Sequence, residues 1–161
     1  MDLTKLKVLN KENFSKYGWV LEINEHYQVI NDGNSKIWHN LVPPLIFSSC
    51  NELNIAMLRT EMSTIRVNKF ERHRFTPQLF FPVGENRSLV VVAKGESVNI
   101  APSDVEVFLM DRHQGICFYP LTWHYPLIPI DGPTNYMLLM RQSDVPDVEY
   151  SNECGPFTLQ L

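Results

Sequence analysis

Three things are scarce in this chain, and each scarcity excludes a class of function. Positive charge is outnumbered: 14 Lys and Arg against 18 Asp and Glu give a net charge of -4 and a pI near 5.7. That balance does not present the basic surface that nucleic acid or an anionic membrane requires. Cysteine is limited to Cys50, Cys117 and Cys154, an odd number at wide spacing. Such a set offers neither a disulfide framework nor the close pairs of a zinc site, and it points to a reducing, cytoplasmic compartment. Long apolar runs are missing too. No stretch approaches the ~20 residues of a membrane span, and the opening MDLTKLKVLNKENF has no apolar signal core. With no internal repeat, low-complexity tract or linker, residues 1–161 read as one domain.

What is present is a soluble composition, 44% hydrophobic and 20% charged, with 11 prolines breaking the chain into short apolar runs. The pattern is mostly β. Lys5 to Leu9 reads as a first strand, and Asn10 as the cap of a short helix over Lys11 to Lys16, stopped by Gly18. Strands are expected over Trp19 to Ile23 and Tyr27 to Ile30, with a turn at Asn31-Asp32-Gly33-Asn34-Ser35. Leu53, Ile55 and Met57 alternate with Asn54 and Ala56, as in a half-buried strand; Thr64 to His73 alternates again. Leu79 to Val83, Leu89 to Ala93, Ile116 to Tyr119 and Tyr136 to Arg141 complete the apolar runs. Pro43-Pro44 and roughly residues 144–161 read as irregular. About ten short strands with one or two short helices predict a β-barrel or sandwich.

Two constellations carry chemistry. The first is Glu71-Arg72-His73-Arg74-Phe75-Thr76-Pro77-Gln78. Alternate residues of a strand share a face, so Glu71 and His73 point one way and Arg72 the other, outward. The second is Gly115-Ile116-Cys117-Phe118-Tyr119-Pro120-Leu121-Thr122-Trp123-His124. Alone, a histidine in a β protein is most often a structural residue, Glu-Arg-His-Arg a solvated run and Trp123 a core residue. The order and coincidence of the two motifs favour a site. They resemble the two cupin motifs, with Glu71 in the place of a first histidine, Gln78 in that of a glutamate and His124 in a ligand position. In such a barrel His124 approaches His73 and Gln78 across a pocket of about 300–1,000 Å³.

The match then narrows. ERHRFTPQLFFPV and QGICFYPLTWHYPL resemble the two signatures of the ureidoglycolate lyase family, formerly called ureidoglycolate hydrolases. Weaker echoes are Asn13-Phe14 to Tyr17-Gly18, Ile30-Asn31-Asp32-Gly33, Val90-Val91-Val92-Ala93 and Arg141. The resemblance implies a cupin-type β-barrel (a double-stranded β-helix, or jelly roll) and a homodimer. It also implies a lyase that splits (S)-ureidoglycolate into glyoxylate and urea in allantoin and purine breakdown. Tyr119 and Tyr125 stand where the family often has histidines, and Ile37 where many members have an arginine.

That substrate carries a hydroxyl and a urea nitrogen on one carbon, beside a carboxylate. Elimination needs a base for the hydroxyl proton and an acid for the departing nitrogen. His73, His124 and Glu71 are the candidates, because an imidazole titrates near neutral pH. Gln78 is a candidate for the ureido group, Arg59 and Arg141 for the carboxylate, since arginine grips carboxylates through two bonds. Trp123, Tyr119 and Asn31 complete the candidate substrate contacts. A divalent metal (nickel, zinc, manganese or iron) is admitted by the nitrogen and oxygen donors, with His73 and His124 as ligands. Two alternatives stand beside the lyase: a cupin acting on another small hydroxy acid, and a non-catalytic barrel that binds a small carboxylate.

Overall fold

The computed structural model describes residues 6–43, 52–61, 66–142 and 145–158. Two sheets carry the fold, with strands numbered along the chain. The first runs in the order β1 (Lys7–Val8), β10 (Val105–Met110), β9 (Ser88–Ala93), β12 (Trp123–His124), β7 (Glu71–His73) and β15 (Val148–Tyr150), with β13 (Ile128–Pro129) also on β9. The second runs β2 (Gly18–Leu21), β11 (Gly115–Phe118), β8 (Gln78–Val83), β14 (Thr134–Arg141) and β5 (Leu53–Thr60). Two ribbons stand apart: β3 (Gln28–Ile30) with β4 (Ser35–Ile37), and β6 (Arg66–Val67) with β16 (Phe157–Thr158). Among the described residues pairing is antiparallel except between β1 and β10. The architecture is that of a cupin-like β-barrel, mainly β with very little helix.

The two sheets close on each other through side chains of alternate residues. Val90 and Val92 of β9 and Phe108 and Met110 of β10 meet Val20, Phe80, Ile116, Phe118 and Tyr136 of the second sheet in one buried core. The Ser88 hydroxyl and the Tyr136 phenol, 2.5 Å apart, join the sheets inside it. The opposite parity of β9 and β10 is also buried. Leu89, Val91, Ala93, Val105 and Val107 pack with Trp123, Phe70, Val67 and Ile100 on the outer face of the first sheet. A strand covered on both faces has no polar side to show, which is why Leu-Val-Val-Val-Ala runs without alternation.

Several elements differ from the sequence expectation. The helix, α1 (Lys11–Phe14), is capped by Asn10, whose Oδ1 accepts the Asn13 N–H at 2.7 Å, but Gly18 begins a strand rather than merely stopping the helix. In β5 the apolar residues Leu53, Ile55 and Met57 are the exposed ones, at 46, 65 and 59%, and Asn54, Ala56 and Leu58 turn inward. The run toward His73 is broken into β6 and β7 by Asn68 to Phe70, while Thr64, Ile65 and Pro44 lie outside the described residues. The segment read as irregular contributes β15 to the first sheet and β16 to the small ribbon. The strand β10 had no counterpart in the expectation.

Candidate functional site

The two motifs meet in the first sheet, where Glu71 of β7 is the register partner of His124 of β12. Both side chains face the barrel interior. The His124 Nε2 lies 3.6 Å from Glu71 Oε1, beyond ordinary hydrogen-bond length and within ion-pair range when the imidazole is protonated. The His73 ring is nearly parallel to that of His124, at 18° and 6.1 Å between centroids. His124 is also stacked on Phe118 of the facing sheet, at 4.3 Å and 15°. Both imidazoles are buried, and Glu71 is partly so.

Each imidazole is tied through Nδ1. In His124 it donates to the Thr122 carbonyl at 2.9 Å. In His73 it meets Asp147 Oδ2 at 3.4 Å. The Nε2 edges are thereby left for the interior. One ligating atom each from Glu71, His73 and His124 lies within 4.8 Å of the others. The cluster could hold a metal ion, and its two imidazoles and one carboxylate suit several divalent metals. Ligating histidines ordinarily turn their second nitrogen to a carboxylate or carbonyl, and both imidazoles have such a neighbour here.

The electrostatics separate the groups. The His124 imidazole beside it holds the Glu71 carboxyl below the ordinary carboxylate range, with His73 adding to the effect and burial opposing it. Burial pushes the His73 imidazole below its ordinary value, helped by charge on His124 and opposed by Asp147 and Glu71. The cluster thus favours an ionised carboxylate beside His124 and a neutral imidazole at His73, a pairing suited to moving one proton off a substrate and another onto it.

Other sequence candidates are placed variously. Gln78 is buried on β8, opposite Phe118, and its Oε1 has no hydrogen-bond partner among the described residues. Arg141 is buried at the end of β14, with its guanidinium 5.5 Å from the Phe75 ring. Arg59 is exposed and bonded to Glu61 at 2.7 Å. Trp123 precedes His124 on a strand and so faces the other way, into the outer core. There it stacks under Arg72, at 4.2 Å from the ring centroid, and Arg72 also pairs with Glu149 at 2.8 Å. Arg72 therefore points away from Glu71 and His73, as its parity requires, but into an intramolecular contact rather than to open surface. Tyr119 packs edge-on against Trp19, at 4.4 Å, over a cavity of about 350 Å³ lined also by Lys11 and Asn40. Asn31 bonds Ser35 at 3.1 Å within its own hairpin. The structure brings Glu71, His73 and His124 together, with Gln78 on the facing sheet beside Phe118, the ring on which His124 stacks. It does not bring Trp123, Tyr119, Asn31 or Arg59 to that cluster.

Asp147 was not among the sequence candidates. Its carboxylate reaches His73 from a strand entry 74 positions along the chain, a separation no motif spacing could span. The available signal was the alternation Val148-Glu149-Tyr150 after Pro146, which reads as a strand and would have added an edge to the sheet.

The profile of the ureidoglycolate lyase family matches residues 1–158. A ureidoglycolate lyase of Pseudomonas paraeruginosa is 29% identical over 144 residues, covering 88% of this chain and 85% of its own. One from Brucella ovis is 28% identical over 136 residues, with 83% and 79% covered, and one from Brucella anthropi 26% over 147, with 89% and 86% covered. The paired motifs that build the Glu71–His73–His124 cluster thus sit within a similarity spanning nearly the whole chain, and the chain belongs to the ureidoglycolate lyase family.

Proposed function

We propose that this protein is a cytoplasmic ureidoglycolate lyase, releasing glyoxylate and urea from (S)-ureidoglycolate in allantoin and purine catabolism. The observation that carries the reading is the convergence of Glu71, His73 and His124 on one interior space in a member of this family. His73, neutral and offering Nε2, takes the proton of the substrate hydroxyl. The electron pair of that O–H bond forms the aldehyde carbonyl as the carbon–nitrogen bond breaks. His124, oriented by Thr122 and ion-paired with Glu71, delivers a proton to the departing urea nitrogen. Gln78 offers an amide to the ureido group from the facing sheet. Arg141, buried beside Phe75, is assigned the carboxylate in this reading, and Arg59, exposed and bonded to Glu61, is not. A coupled dehydrogenase assay for glyoxylate tests the reading; folded protein that adds nothing to the spontaneous rate rules it out.

A second reading is favoured by the same donor set: Glu71, His73 and His124 would hold a divalent ion. Such an ion would polarise the substrate oxygen as a Lewis acid. Elemental analysis of untagged protein separates the readings. About one nickel, zinc, manganese or iron per chain, removable with loss of turnover, supports the second; full turnover without metal supports the first.

The active unit in this reading is a homodimer. Its support is the outer face of the second sheet, where the register sets Met57, Met137 and Phe81 side by side, at 59, 42 and 37% exposure. Contiguous apolar patches of this kind mark interaction surfaces, and an apolar patch is complementary to its own copy.

A further inference from the structure

The turn that follows β7, Arg74-Phe75-Thr76, closes around a single carboxylate. Asp147 is 9% exposed and His73 is 5% exposed, so their contact is shielded from water. Asp147 Oδ1 accepts the backbone N–H groups of Arg74 at 3.0 Å and of Phe75 at 2.9 Å. Its Oδ2 accepts the Thr76 hydroxyl at 3.1 Å and faces His73 Nδ1 at 3.4 Å. The Asp147 carbonyl accepts the Arg74 N–H as well, at 3.0 Å. An ionised carboxylate has no proton to give, so a nitrogen facing it must be a donor. Two main-chain donors hold Oδ1, and they fix which oxygen is turned to the imidazole.

We infer that Asp147 is the positioning residue for His73: it imposes the Nδ1–H tautomer and the ring orientation, so that Nε2 is presented to the substrate as a proton acceptor. The inference rests on the base role proposed for His73. The same Asp147 oxygen pair does two separable jobs. Oδ1 secures the turn, and Oδ2 sets the imidazole. Asp147→Asn separates them. The two main-chain N–H groups require the amide oxygen at the Oδ1 position, which turns the NH₂ group toward His73. A donor facing Nδ1 reverses the preferred tautomer and puts the proton on Nε2, where it blocks proton uptake.

The test is ring nitrogen NMR of protein labelled at histidine, with His73 assigned by comparison with His73→Gln, alongside turnover of ureidoglycolate. The expected wild-type spectrum shows His73 protonated at Nδ1, and Asp147→Asn shows the proton moved to Nε2. In the variant kcat falls by at least ~10²-fold, the scale of a lost acid/base group, while KM stays within about threefold. A wild-type His73 protonated at Nε2 overturns the inference, as does an Asn variant that keeps both tautomer and turnover. The spectra need no turnover, so they decide the tautomer even where the lyase assay fails. If the Asn variant does not fold, the wild-type spectrum together with Thr76→Val, which removes only the competing Oδ2 donor, still decides it: Thr76→Val keeps the Nδ1–H form.

Discussion

His124 and Trp123 are neighbours with opposite tasks. On a strand of two residues, one side chain must face the barrel interior and the other the outer core. His124 is stacked between Phe118 and His73, fixed by the Thr122 carbonyl, and 3.6 Å from Glu71. Trp123 is fully buried among Val91, Ala93 and Val105, under the guanidinium of Arg72. Substitution should separate the two roles. His124→Asn keeps an amide for the Thr122 carbonyl, so it should lower kcat by at least ~10²-fold with a melting temperature close to that of the wild type. Trp123→Ala empties a large buried volume and should cost about 3–5 kcal/mol in denaturant unfolding. Equal losses of stability from both, with turnover of the surviving fold unchanged in His124→Asn, would mean that His124 is a core residue. Strand parity put Glu71 and His73 on one face, a local pattern, whereas His124 was joined to them through the resemblance of the two motifs to those of a known family. Trp123 lies away from the cluster for the reason that turns Arg72 outward: neighbours on a strand take opposite faces, so a substrate-facing His124 puts Trp123 in the core. Asp147 was invisible because its partner is 74 positions away.

At the scale of elements, the strands that alternate cleanly or run apolar from end to end, β8, β9, β11 and β14, could be read directly, with boundaries off by one or two residues. The strand β10 could not. Its inward position Glu106 carries a charge, which in a sequence reads as a solvated face, and only the structure shows Lys7 and Lys94 closing on it at 2.8 and 2.5 Å. The strand β5 showed its period but not its polarity, since the side that faces in is set by β14. Gly18 illustrates how an element can depend on one missing atom. A Cβ there would lie 2.2 Å from the Cys117 carbonyl oxygen, so Gly18→Ala must push β2 off β11, with an expected loss of about 1–3 kcal/mol. Two turns are joined by Arg87 and Asp131, with contacts of 2.8 and 2.9 Å and a backbone N–H at 3.0 Å. The Arg87 guanidinium holds the Asp131 carboxyl at about 2, below its ordinary 3.8. A carboxyl depressed on folding stabilises the folded state above its unfolded pKa and loses that contribution as pH falls through the folded one. Asp131→Asn should therefore melt below the wild type at neutral pH and converge with it near pH 2. A gap that persists unchanged into acid would assign the effect to packing instead.

For the whole molecule, the two faces of the second sheet set the problem. Its inner face fills the barrel with Val20, Phe80, Ile116 and Tyr136. Its outer face carries Leu53, Ile55, Met57, Phe81, Val83 and Met137, each at least 37% exposed. The rows run straight across strands: Met57 pairs with Met137 and Met137 with Phe81, whose ring lies over Gly115, where a Cβ would come within 2.5 Å of it. The polar pair Arg59 and Glu61 lies at one end of β5, beside Asn135, and bounds the patch there. Leaving so many large apolar side chains in water costs roughly 25 cal/mol for each Å² that a partner would cover, and a two-fold axis through the Met137 row would cover both copies at once. Among the described residues, the outer side of the first sheet is instead packed at its centre by Phe70, Trp123 and Ile100. The expected species in sedimentation is thus a dimer of twice 18.7 kDa. Met57→Lys with Met137→Lys places like charges at the centre of the face and should shift it to monomer. Because both positions are solvent-facing within the chain, the substitutions should leave the melting of the monomer fold nearly unchanged. A wild-type chain that sediments as a monomer at tens of micromolar, or a double variant that stays dimeric, would move the contact to another surface. Neither result would disturb the Glu71–His73–His124 cluster, which lies inside the barrel of a single copy.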